Sequence, residues 1–323
     1  MTQSFLTNRL LKPGLAGCVA GWLISELPMS TVLRGSLAQL LSDLAEEHAI
    51  KGILIEEVGG DAPAKRLGMG LSAFIEPKLM DVYVAQPRAF AFMDVLERVA
   101  RTERPILGPA QIARANGGDG LDLIVLYMQR GWDLKLPIWR EVGEMGHQSY
   151  VEHHRGYNIR RALQEDWTNH KAIYLAAGYQ ELATVAVDPA TLPSGFACSA
   201  PSRTLLYADC ETVKLRAPGS SVSYVFQKRE PRCFFTLAQQ KLLEGALEGA
   251  TDRELAESLD LSPTTIKHSW RDIYDRVLVN VPYVLPDGEA EDESKRGREK
   301  RRHVLAYVQD HPEEIRPLIR RGR

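Results

Sequence analysis

No stretch of the sequence reaches the roughly 18 consecutive apolar residues that a membrane-spanning helix needs. The longest charge-free stretch near the start runs only from Pro13 to Ser25, so no membrane span is expected. Cysteine is also scarce. Cys18, Cys198, Cys210 and Cys233 lie far apart with no C-x-x-C among them, which speaks against a disulfide framework or a zinc ribbon and suits a reducing compartment. Leu15-Ala16-Gly17-Cys18 spells a lipid-attachment signal. Arg9, Lys12 and Pro13 interrupt the apolar core such a signal requires, and a cytoplasmic location is expected. Net charge is nearly absent as well: 40 basic and 42 acidic side chains leave -2, which at first sight argues against a polyanionic partner.

What is present is ordinary globular composition over 323 residues, a length that predicts two domains, each able to bury its own core. Charge sorts into blocks along the chain. Residues 1–232 carry 25 basic and 25 acidic side chains, and 233–284 carry five basic and eight acidic ones. An acidic linker follows at 287–293, and 295–323 hold ten basic residues against four acidic. Such a basic block reads either as a solvated helix face or as a phosphate-seeking arm.

In the first block Leu33, Leu37, Leu40, Leu41 and Leu44 recur at helical spacing and predict a helix over 30–48. Runs rich in β-branched and aromatic residues at 50–56, 69–76, 121–128, 181–187, 203–208 and 222–227 predict strands. Residues 87–103, 157–167 and 169–177 have helical spacing. Two strands in succession without a helix between them break strict βαβ alternation, so an α+β sheet domain is expected.

From Phe235 to Val279 the pattern is purely helical and strongly punctuated. Thr236 with Gln239 and Thr251 with Glu254 form capping boxes, and Ser262-Pro263 supplies a side-chain cap followed by proline at the first helical position. Ile266, Trp270, Ile273, Tyr274 and Val277 give the third helix a buried stripe, leaving Thr264, Thr265, Lys267, His268 and Arg271 outward. Two short helices and a tight turn, the second opening on hydroxyl and basic residues, form a shape that fits a major groove.

Phe235-Thr236-x-x-Gln239, Leu247-Glu248-Gly249, Asp252-Arg253-Glu254-Leu255-Ala256, Leu259-Asp260-Leu261-Ser262 and Asp272-Ile273-Tyr274-Asp275-Arg276-Val277 resemble the LuxR-type helix-turn-helix of bacterial transcription regulators. The resemblance covers about 45 residues. It departs at Gln239, Ser269 and Leu278, where the family has Glu, His and Gly. It implies an all-α DNA-binding domain at 233–284, with Thr264, Thr265, Lys267, His268 and Arg271 contacting DNA from a recognition helix. The tail at 285–323 is expected to be an acidic linker and a basic helix.

The first 232 residues lack the signatures of three sensor kinds: the acidic pocket of a receiver, the Trp-x-x-x-Tyr and Asp-Pro pattern of quorum sensors, and the phosphate loop of an ATPase. The Arg155-Gly156-Tyr157-Asn158-Ile159 turn, with Ala176-Ala177-Gly178-Tyr179 after it, distantly resembles acyl-CoA-dependent N-acetyltransferases, in which a glycine turn cradles a pyrophosphate at a helix N-terminus. Glu144, His147, Glu152, His153 and His154 form the one metal-like cluster, without H-E-x-x-H spacing. Phe90, Phe92, Tyr127, Trp132 and Trp139 are candidates for a ligand cavity.

The expected protein is therefore an α+β sensor-like domain (1–232) followed by an all-α LuxR-type helix-turn-helix domain and a basic helical tail. It would be a cytoplasmic, non-enzymatic transcription regulator with no cofactor. Its partners would be double-stranded DNA at an inverted repeat, a second copy of itself and a small-molecule effector. The alternative is an enzyme-like, acyltransferase-related amino-terminal domain fused to a DNA-binding module.

Overall fold

The structure, a computed structural model, describes residues 4–59, 63–129, 136–192, 201–216, 219–285 and 293–319. Trp132, Cys198 and the acidic linker as far as Asp292 lie outside the described residues. The chain divides into two compact units: Met1–His154 with Asn158–Phe226 and Ile319–Arg323, and Arg155–Tyr157 with Gln227–Leu318.

The first unit runs β1 (Phe5–Leu10), α1 (Ala16–Glu26), α2 (Thr31–Glu46), β2 (Ile50–Val58), β3 (Lys65–Ile75), α3 (Pro77–Ala85), α4 (Ala91–Ala100) and α5 (Pro109–Asn116). It continues with β4 (Leu121–Gln129), α6 (Pro137–His154), β5 (Ile159–Trp167), α7 (Lys171–Ala177), β6 (Gln180–Ala186), β7 (Ser202–Asp209) and α8 (Cys210–Lys214). The strands form one seven-stranded sheet in the order β1-β2-β3-β4-β5-β7-β6. Neighbours are antiparallel except β4 and β5, which run parallel.

Side chains alternate across each strand and so assign the helices to faces. Ile50 and Leu54 of β2 join the core built with α1, α2 and α4. Ile53 and Ile55 face the other way and pack with Val142, Ile138, Trp139 and Met145 of α6. The leucine stripe of α2 is buried, and the helix starts where Ser30 Oγ accepts from the Leu33 amide at 3.1 Å.

Two element expectations are corrected. Residues 157–167 contain β5 rather than a helix, and 222–227 hold a short 3-10 turn at Ser221–Tyr224 rather than a strand. The charges of β5 disguised it, because each has a partner elsewhere in the fold. Asp122, whose side chain is fully buried, takes Arg160 and Arg161, each at 2.6 Å. Glu165 pairs with Arg203 at 2.8 Å and accepts from the Phe90 and Ala91 amides at 2.7 and 2.9 Å, supplying the anion that the N-terminus of α4 lacks from its own cap.

The second unit contains α9 (Leu237–Leu247), α10 (Asp252–Ser258), α11 (Pro263–Asn280) and α12 (Glu293–Asp310). Thr236, Thr251 and Ser262 cap α9, α10 and α11, with Gln239 and Glu254 closing the two capping boxes. Val304, Tyr307 and Val308 of α12 and Ile315 beyond it share one core with Leu243, Ile266, Ile273 and Val277.

The expected fold class is corrected by these observations. The larger unit is a seven-stranded mixed sheet with helices on both faces, parted between its two parallel strands, and not a small sensor module. The basic tail is a constituent of the helical core and not an appendage to a helix-turn-helix.

Candidate active site at the parted strands

The parallel ladder between β4 and β5 is short. It begins at Leu121↔Ile159 and ends at Ile124↔Leu163. Beyond that point β4 stays paired to β3 as far as Gln129, and β5 stays paired to β7 as far as Trp167. Each strand thus follows its own half of the sheet and the two halves separate. Past this point the two strands are not laddered to one another: on β5 the Glu165 carbonyl accepts from Arg203 at 3.4 Å and the Trp167 amide donates to the Asp166 carboxylate at 2.7 Å, whereas the β4 edge at Val125–Gln129 faces the opening.

This opening meets a cavity of about 480 Å³ between the sheet and the pair α6 and α7. Its walls are largely apolar: Ile53, Ile55, Leu71, Val125, Met128, Val142, Ile173 and Val222. Gly70 and Gly146 widen it. A Cβ on Gly70 would meet only Ile53 Cγ1, at 3.6 Å.

Several of the polar side chains in the walls are committed to one another or to the backbone. His154 Nδ1 donates to the Tyr150 carbonyl at 2.7 Å, and its Nε2 lies 2.8 Å from Ser72 Oγ. The Tyr150 and Tyr179 hydroxyls lie 2.9 Å apart. Burial raises the Tyr150 pKa well above its usual value and pushes Tyr179 up to about 12, so both phenols stay protonated at neutral pH. Tyr174 donates to Asp166 at 2.6 Å, and the same carboxylate meets His170 Nδ1 at 3.2 Å. Burial alone would raise the Asp166 pKa, but the His170 hydrogen bond, Arg203 and Tyr174 outweigh it and hold the carboxyl below its ordinary value. His147 also lines the cavity; desolvation lowers its pKa, which leaves the neutral, proton-accepting imidazole at neutral pH. Gln164, 4% exposed, has an amide nitrogen without a hydrogen-bond partner.

Of the cavity aromatics expected from sequence, Tyr127 lines it, whereas Phe90 and Phe92 stack around the Arg203 guanidinium and Trp139 packs with Ile53, Ile55 and Val142 without lining the cavity. The histidine cluster is partly assembled. His147, His153 and His154 all border the cavity, with His153 Nδ1 on the Ser149 carbonyl at 2.6 Å. Among the described residues no group of three His, Cys, Asp or Glu side chains could hold a metal ion. The expected glycine cradle is corrected. Gly156 follows the C-terminus of α6, and a Cβ there would meet the Glu313 amide at 2.7 Å, so this glycine permits a close backbone approach, and the strand β5 rather than the expected helix comes after it. Gly178, at φ +107, ends α7 and delivers Tyr179 to the cavity.

Thr264, Thr265, Lys267, His268 and Arg271 are exposed on α11, and none lines the cavity. The Thr265 amide is taken by the Ser262 cap at 3.0 Å. In the tail, Arg301 turns onto Asp252 at 2.6 Å and over the Trp270 ring at 4.5 Å, a packing role rather than a free cation.

The chain matches no protein-family model and no curated protein. Among solved structures it aligns with mutant forms of a spermidine/spermine N-acetyltransferase from Vibrio cholerae, at 12% identity over 63% of this chain and 93% of that one, with a TM-score of 0.33. It aligns with an N-acyl amino acid synthase from uncultured soil microbes at 12% identity, over 66% and 94%, with a TM-score of 0.34. A third is an acetyltransferase of the GNAT family from Streptococcus pneumoniae, at 13% identity over 64% and 99%, with a TM-score of 0.30.

The expectations of a DNA-binding regulator, of a non-enzymatic chain, and of an operator duplex, dimer and effector as partners are corrected by the architecture of the larger unit. That unit is built around a concave, largely apolar cavity with buried, protonated phenols in its wall, the features of a small-molecule site. Among the described residues no helix is long and apolar enough to cross a membrane.

Proposed function

We propose that the sheet unit transfers an acyl group from a thioester to an amine. The observation that carries this reading is the parting of β4 and β5 over an apolar cavity. An extended carrier arm bearing amides, as in coenzyme A, would pair with the open edge of β4 in the way a peptide adds to a sheet. The acyl chain would then run into the cavity, whose size is that of sites for drug-sized ligands and far exceeds an acetyl group.

The chemistry balances with the groups present. The amine nitrogen attacks the thioester carbonyl, the C–N bond forms and the C–S bond breaks. The proton released by the nitrogen passes to His147 and then to solvent. The departing thiolate accepts a hydrogen bond from the protonated Tyr150–Tyr179 pair and takes its proton from water. A weak base suits an amine, which bonds through its lone pair and becomes strongly acidic only afterwards, better than an alcohol, which must lose its proton during attack.

The test is release of free thiol from acetyl-, octanoyl- and dodecanoyl-coenzyme A with and without amines. Each buried methylene is worth about 0.8 kcal/mol, so affinity should rise about fourfold per methylene until the cavity is full. Absence of both thermal stabilisation and amine-dependent thiol release with every thioester would refute the reading.

A further inference from the structure

The cavity leaves one of its polar side chains incomplete. Gln164 stands one residue beyond Leu163, the last residue of β5 to pair with β4, and is 4% exposed. Its amide nitrogen has no hydrogen-bond partner, and the side chain lines the cavity. Polar neighbours on the same walls are committed elsewhere: Ser72 to His154, Tyr150 to Tyr179, and Tyr174 to Asp166. A buried amide donor without an acceptor bears its full desolvation cost, so this position favours whatever brings an acceptor into the cavity.

Position decides which acceptor. On the acyl-transfer reading the open edge of β4 would hold the carrier arm and the apolar walls the chain, so the group between arm and chain would reach the crotch of the strands, beside Gln164. That group is the thioester carbonyl. We infer that Gln164 is a catalytic residue of the transfer, its Nε2–H donating to the thioester oxygen and to the oxyanion that this oxygen becomes. As the amine attacks, the C–N bond forms and the carbonyl π electrons move onto the oxygen beside Nε2. Collapse returns them and expels the thiolate, with the amine proton leaving through His147. The inference rests on the acyl-transfer reading, and it adds a fixed donor aimed at developing charge, the kind of contact that lowers a barrier rather than only tightening binding.

The experiment compares two ligands on the full chain by calorimetry without amine: dodecanoyl-coenzyme A, and the dodecyl thioether in which a methylene replaces the carbonyl. The wild type should bind the carbonyl ligand about tenfold tighter, the size expected of one hydrogen bond to a neutral donor. Gln164→Met, close in volume, should bind the two equally, and its kcat should fall about 10²- to 10³-fold with KM little changed. Gln164→Leu also lacks the donor and should lose the discrimination too, which keeps the test open should the methionine variant not fold. Equal affinity of the wild type for both ligands would overturn the assignment. So would a methionine variant with kcat within about twofold of wild type, against the loss expected for an oxyanion donor. A wild type that binds neither ligand would instead end the acyl-transfer reading, and this assignment with it.

Discussion

In the helical unit the buried charge finishes the structure. Glu314, 1% exposed, accepts from the Arg232 and Cys233 amides at 2.8 and 3.0 Å and from the Tyr307 hydroxyl at 2.7 Å, so its carboxylate closes loose ends of the chain around a continuous apolar core. In the sheet unit Asp122, Glu165 and Asp166 are likewise paired, yet the same β5 strand carries Gln164 unpaired beside a cavity. Polar burial that is satisfied from within specifies a fold; polar burial left open specifies a ligand. On the acyl-transfer reading the open donor lies in the first unit, while the described core of the second closes on itself.

Substitutions can break or sharpen this contrast. The largest effect is expected from Arg203→Met, which strands the Glu165 carboxylate in a site where both side chains are at most 5% exposed. Removing one partner of a buried pair costs about 3–5 kcal/mol. Hydrogen exchange should show protection lost throughout the sheet and retained in α9–α12; equal loss in both units would mean that they do not fold independently. Gly70→Leu fills the cavity from β3, where the nearest contact of a new Cβ is ordinary. It should weaken use of long-chain thioesters about 10- to 200-fold while the melting temperature stays close to wild type. An unaffected KM would place the chain elsewhere. Thr251→Ala removes the cap of α10 and should cost about 1 kcal/mol, seen only in helical exchange, with thiol release unchanged.

The smallest effect sought is a displacement in pH. Desolvation lowers the His147 pKa from its reference value of about 6.5, and the neutral form that accepts a proton is the one present above that pKa. The acid limb of the kcat profile should therefore lie below pH ~6.5 and should vanish in His147→Gln. A limb above that value, or one that survives the substitution, would assign the base elsewhere.

How much of this was readable beforehand depends on whether the deciding partners are local. The caps at Thr236, Thr251 and Ser262 bind amides three residues away, and spacing alone locates them. The strand β5 was hidden because Ile159–Trp167 carries Arg160, Arg161, Glu165 and Asp166, a polarity that suits an exposed helix. It is a central strand because Asp122, Arg203 and His170 answer those charges from elsewhere, two of them more than 35 residues distant. Misreading β5 removed the parallel pair, and with it the gap and the cavity. His147, His153, His154 and Tyr127 were visible as candidates, but only the α6–sheet packing shows that they border one space. Gln164 gave no signal at all, since a glutamine is notable only when its surroundings leave it unpaired. The helical motif at 235–279 was the clearest pattern in the sequence, and it drew the functional reading toward the unit with the closed core.

The most direct measurement is a crystal structure of the protein with the unreactive analogue of dodecanoyl-coenzyme A in which a methylene replaces the thioester sulfur and the carbonyl is kept. The account predicts the carrier arm along the unpaired edge of β4, the carbonyl oxygen on Gln164 Nε2, and the chain among Ile53, Val125, Val142 and Ile173. An analogue bound outside the cavity, or a cavity that stays empty at saturating ligand, would contradict it.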